Sequence, residues 1–160
     1  METLRASLRS RDRRECAGAQ QVLISLGTEQ AIAALADSLQ TADNVAVANT
    51  ARLLGGIQAR SAIPALIRCL DTRSDELDST AKQWVARSLG LMPQRDEIPV
   101  LAELLREPRR RTRTTTAWAL AQIRSPESQA ALESVANELS WFRGRAVRRA
   151  LRAMRERAER

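Results

Sequence analysis

Leucines recur along this chain at intervals that only a stack of similar units explains. Leu4, Leu35, Leu66, Leu101 and Leu132 are separated by steps of 31, 31, 35 and 31 residues. A second column, Leu8, Leu39, Leu70, Leu105 and Ala136, keeps that register. So do Leu23, Leu54, Leu89, Leu120 and Leu151, followed three residues later by Leu26, Ile57, Met92, Ile123 and Met154. Within a unit the first two columns stand four apart and the last two three apart, spacings that place side chains on one face of an α-helix. Each unit is therefore two amphipathic helices, as in residues 31–39 with 46–57 and 97–105 with 112–123. The spacing predicts one all-α domain over residues 1–160, an α-solenoid of five stacked helix pairs. The pairs occupy about 1–27, 28–58, 59–93, 94–124 and 125–160. A pair this small cannot cover its own apolar faces, so neighbours must build one continuous core.

Turn chemistry supports the division. Gly27, Gly55, Gly56 and Gly90 fall where second helices should end, and glycine takes left-handed C-cap conformations without strain. Pro64 and Pro99 stand near the starts of first helices, and Ser125-Pro126-Glu127 combines a capping hydroxyl, a proline and an acid at a helix start. The single step of 35 comes from four extra residues between Leu70 and Leu89, within DTRSDELDSTAK, which reads as a longer surface loop. Its acids, Asp71, Asp75, Glu76 and Asp78, are solvated turn charges or a partner contact.

Segments such as SAIPALIRCL, ARLLGGI, ARSLGLM and TAWALAQI resemble the HEAT-like repeats also found in phycobilisome lyases. The likeness runs through nearly the whole chain, departing from it at Asn49, Thr50 and Thr114 to Thr116, where alanine or valine is usual. It implies architecture more than activity, five HEAT-like helix pairs stacked in a right-handed superhelix, because such solenoids serve as scaffolds, adaptors, bilin-lyase subunits and occasionally DNA-repair proteins.

Chemistry narrows the choice. With no histidine in the sequence, Ser-His-Asp and Cys-His nucleophile systems, His-ligated zinc and histidine acid–base catalysis are absent. Cys16 and Cys69 have no metal-ligand spacing and read as reduced thiols. The adjacent acids Asp75-Glu76 and Asp96-Glu97 read as solvated turn charges. No apolar run approaches the roughly 20 residues of a membrane span, and the opening residues lack a secretory core. A cytoplasmic, non-enzymatic protein without cofactor or metal is expected, a bilin-lyase-like chromophore-handling subunit being the enzyme-related alternative.

The binding surface should lie on the second helices, which usually line the concave side of such stacks. Two residues before the third leucine column stand Gln21, Arg52, Arg87, Trp118 and Arg149; seven before it stand Cys16, Val47, Lys82, Arg113 and Gly144. Arg52, Lys82, Arg87, Arg113, Trp118 and Arg149 are thus the candidate partner-binding residues, gripping an acidic protein segment through guanidinium groups around one aromatic anchor. Trp84 and Trp141 read as packing residues, Trp141 starting the last helix beside Phe142. The formal charge of +7 is concentrated at the ends. Residues 143–160 hold eight arginines against two acids, whereas residues 15–105 hold seven basic against eleven acidic residues. RGRAVRRALRAMRERAER reads as a terminal cap with a cationic outer face, and RRRTR at 109–113 as a second basic cluster. Nucleic-acid backbone binding through these ends is the second expectation.

Overall fold

The computed structural model describes residues 2–8, 10 and 12–158. The short opening helix makes the Met1 end the first place to expect apolar exposure; Met1 itself lies outside the described residues. Among them are ten α-helices and no strand, forming an all-α repeat solenoid. The pairs are α1 (Glu2–Leu8) with α2 (Arg13–Leu26), α3 (Glu29–Ser38) with α4 (Asn44–Gly56), and α5 (Ile63–Arg73) with α6 (Ser79–Leu91). They continue with α7 (Ile98–Leu104) and α8 (Arg110–Ile123), then α9 (Pro126–Glu138) and α10 (Arg145–Ala158). Helix starts follow from side-chain chemistry. Asp12, Thr28, Asp43, Asp78 and Ser125 each accept a hydrogen bond from an otherwise unpaired amide of the first turn. Each such cap contributes about 0.5–2 kcal/mol. Pro64, Pro99 and Pro126 occupy the first turns of α5, α7 and α9, where a missing amide costs little.

The leucine columns form the core. Leu35, Leu66, Leu101 and Leu132 of the first helices and Leu23, Leu54, Leu89 and Leu120 of the second are fully buried. Burial of each contributes about 1.5–3 kcal/mol before entropy is counted. The fourth column divides: Met92, the C-cap of α6, is buried, but Leu26 and Ile57 at the ends of α2 and α4 are half exposed.

Of the four glycines, Gly27 alone ends a helix in the left-handed region; Arg124, at φ 53°, caps α8 in the same conformation, and Gln58, also at φ 53°, takes it just beyond α4. Gly55, Gly56 and Gly90 do not cap. They lie inside α4 and α6, and two of them serve close approach instead. A Cβ on Gly55 would stand 2.6 Å from the Ser88 hydroxyl, and one on Gly90 would stand 2.7 Å from the Ala119 Cα. Both occupy the position just after the third-column leucine, which reads Ile24, Gly55, Gly90, Ala121 and Arg152 down the stack. The α4–α6 and α6–α8 seams are correspondingly close-packed, whereas α2–α4 and α8–α10 are looser. Second helices of the middle units pack more extensively on each other than first helices do.

The four-residue insertion lengthens α5 and is tied to the preceding unit. Arg73 donates to the carbonyls of Leu39 at 2.6 Å and Ala42 at 2.9 Å and pairs with Glu76 at 3.0 Å. Asp78 caps α6, leaving Asp71 and Asp75 as exposed carboxylates. The threonines that depart from the usual repeat make a polar tie between second helices. Gln20 donates to the Thr50 hydroxyl at 2.8 Å, and Gln83 to the Thr115 hydroxyl at 3.3 Å. Cys16 and Cys69 are free, buried thiols.

Candidate binding groove between the last second helices

The two sequence columns meet opposite fates. Gln21, Arg52, Arg87, Trp118 and Arg149 are all exposed, whereas Cys16, Val47, Lys82, Arg113 and Gly144 are all buried. Helix geometry explains this: seven residues are nearly two full turns, which returns a side chain to the leucine face, and two residues carry it to the far side. Lys82 and Arg113 are therefore corrected as surface grips. Lys82 is 8% exposed and ion-paired with Glu107. Arg113 is 5% exposed, and its Nη1 donates to the carbonyls of Glu107 at 2.7 Å and Pro108 at 2.8 Å.

Of the exposed column, Trp118 and Arg149 come together. Between α8 and α10 runs a groove of about 570 Å³. Its apolar lining comes from Ala121, Ala146, Ala150 and Ala153 with the rings of Trp118 and Phe142. Arg110, Arg113, Arg143, Arg145, Arg149 and Arg157 complete it with Thr114 and Gln122; among the described residues no aspartate or glutamate lines it. The Trp118 ring lies over Gly90, whose Cβ, if present, would fall 2.6 Å from the ring. One missing side chain in α6 thus sets the aromatic wall. Arg52 and Arg87 lie on α4 and α6, outside the groove, and Arg87 stacks 5.6 Å from the Trp84 ring centre. The second loose seam, between α2 and α4, holds a cleft of about 620 Å³, lined among the described residues by one arginine, Arg13, one acid, Asp43, and no aromatic ring.

Trp141 and Phe142 are not packing residues. They are 64% and 79% exposed, edge to face at 5.1 Å, with the Arg145 guanidinium 5.7 Å from the Trp141 ring. Their turn is held by Arg148, which donates to the carbonyls of Ala136, Leu139 and Trp141 at 2.9, 3.2 and 3.0 Å. RRRTR and WFRGR flank the starts of α8 and α10, so two basic clusters separated in sequence converge on one mouth. Both clusters are visible in the sequence, but their convergence follows only from α8 and α10 being neighbours.

Glu97 departs from its expected role as a solvated turn charge. It is fully buried, both carboxylate oxygens lack a hydrogen-bond partner, and burial pushes its pKa up to about 8. The corresponding residues of the other units are Ala31, Ala62 and Ser128, all small and all buried.

The stacked pairs, one closed core and groove-bearing second-helix layer define a solenoid repeat protein. Residues 74–152 match the family model for HEAT repeats, and residues 48–72 match that for the PBS lyase HEAT-like repeat. The chain belongs to the HEAT-like repeat family. No curated protein matches it. HEAT repeats commonly serve as protein-interaction scaffolds. Among the described residues no helix is long and apolar enough to cross a membrane.

Proposed function

We propose that the chain is a non-enzymatic adaptor that holds an acidic segment of a protein partner in the α8–α10 groove. The observation that carries this reading is the lining: six arginines and two aromatic rings without one acid among the described residues. Guanidinium groups bind carboxylates in a fork geometry, and aromatic side chains supply the desolvated contact area typical of interface hot spots. Arg52 and Arg87, exposed on the same layer, extend the cationic surface toward the middle of the stack. The free, buried thiols of Cys16 and Cys69 suit a reducing cytoplasm.

The same arginines favour a second reading, contact with a nucleic-acid backbone, whose affinity would fall steeply with salt. Affinity capture from native lysate at two salt concentrations, with and without nuclease, separates the two. The bait is compared with a Trp118→Ala, Arg149→Glu double variant. A nuclease-resistant protein lost by the variant supports the adaptor. Recovery of nucleic acid that vanishes with nuclease or moderate salt replaces it with the second reading.

A further inference from the structure

The repeat carries an internal ion pair that fails at one place. Lys82 of α6 reaches forward to Glu107, two residues beyond the leucine that closes the next first helix. One unit later the same two positions hold Arg113 and Glu138, again a cation and a carboxylate. They do not pair. Both Glu138 oxygens are taken by Arg106 at 3.0 Å each, and one of them also by Ser134 at 3.2 Å. In the two earlier units the positions hold Cys16 with Thr41 and Val47 with Thr72, so no charge is at stake. Arg113 is therefore a cation, nine-tenths buried in the lining of the groove, without a carboxylate partner. Its Nε has no partner at all, and its two acceptors are neutral carbonyls. Burial and the nearby charge of Arg143 both lower its pKa. Leaving a buried charge unpaired is costly, and an anion brought by a ligand would remove that cost.

We infer that Arg113 and Arg143 form a vacant anion subsite in the α8–α10 groove that takes one carboxylate of the partner segment beside an apolar anchor seated against Trp118 and Phe142. This rests on the adaptor reading and specifies the motif: an acidic residue next to a large apolar one. The groove volume of about 570 Å³ suits a few side chains, not a whole helix.

The test supplies the missing carboxylate from the protein itself. Ala146 is the second residue of α10 and lines the groove; α10 has no acid in its first turn, so Glu there is favoured by the helix dipole. Fluorescein-labelled Glu-Glu-Leu-Glu-Glu, Glu-Glu-Gly-Glu-Glu and a short oligo-dT strand are titrated by anisotropy into the wild type, Ala146→Glu and Ala146→Gln. Expected are tighter binding of the leucine peptide than the glycine peptide, a loss of about tenfold or more with Ala146→Glu, and a much smaller loss with the equally large Ala146→Gln. The melting temperature of Ala146→Glu should not fall; if it does, Arg143→Gln, in the exposed turn, gives the binding loss instead. Equal losses for Glu and Gln, or none for either, overturn the subsite. Peptide binding that survives Ala146→Glu but is lost with Arg52→Glu and Arg87→Glu overturns the subsite and moves the adaptor's binding surface from the groove to α4 and α6. Oligo-dT binding tighter than either peptide, lost with Ala146→Glu, assigns the anion to a phosphate and overturns both.

Discussion

The middle of the stack and its C-terminal end are built from the same repeat but meet their neighbours differently. At the α6–α8 seam Gly90 lets two helix backbones touch, and the seam is closed. At the α8–α10 seam the equivalent residue is Ala121, with Arg152 one unit on, and a groove opens. A single position per repeat, the residue after the leucine, thus separates a joint from a binding cleft. The cleft then acquires its character from what surrounds it: among the described residues the α2–α4 seam sets Arg13 against Asp43, whereas the α8–α10 seam is cationic and aromatic.

Helix α8 belongs to both kinds of seam and rests on α7, so the strongest way to disturb both at once is Glu97. Its folded pKa of about 8 lies above the ordinary carboxylate value of 4.5, so the folded state holds a proton that the unfolded chain releases. Stability is then fully present below about pH 4.5, falls by about 1.4 kcal/mol per pH unit as pH rises toward 8, and levels off beyond. With no histidine in the sequence, little else titrates across that window. Urea unfolding of Glu97→Gln should show a nearly flat profile from pH 5 to 8 and exceed the wild type at pH 8; an unchanged slope would assign the effect elsewhere.

Next in size is the closed seam itself. Gly90→Ala places a methyl against the Ala119 backbone and the Trp118 ring and should cost about 1–3 kcal/mol in thermal or chemical unfolding. At the same register in the open seam, Ala121→Leu should change stability by less than about 1 kcal/mol, because the groove has room, while weakening acidic-peptide binding. If the two substitutions cost the same, seam spacing does not depend on this position. The smallest effect sharpens the argument within one helix. Gly56 has nothing within 4 Å of a built Cβ, so Gly56→Ala should stabilise by about 0.5–1 kcal/mol, whereas its neighbour Gly55→Ala meets Ser88 and should destabilise. Differential scanning calorimetry on the pair gives opposite shifts in melting temperature.

Much of this architecture is legible in the amino-acid sequence. Column spacing locates the ten helices, and the capping residues mark many of their starts. Legibility fails where one residue type can serve two purposes. A glycine near a helix end suits either a left-handed cap or a close helix contact; Gly27 takes the first role, Gly55 and Gly90 the second. Trp141, expected to pack, is displayed with Phe142 on a turn clamped by Arg148, an arrangement fixed by carbonyls on three different residues. Lys82 and Arg113, expected on the surface, are buried because seven residues of helix return a side chain to the core, a consequence of helical periodicity that the sequence already contains.

What the sequence by itself determined is periodic: the helix pairs, the buried leucines and the faces on which charges fall, since these depend on contacts repeated every unit and on 3.6 residues per turn. What only the tertiary structure decided lies at the breaks in that period. Whether α10 stands off from α8, which carboxylate Arg106 takes from Arg113, and how deeply Glu97 is buried all depend on contacts between residues far apart in the chain. Such contacts are set by the joint packing of neighbouring units, which a single repeat does not encode.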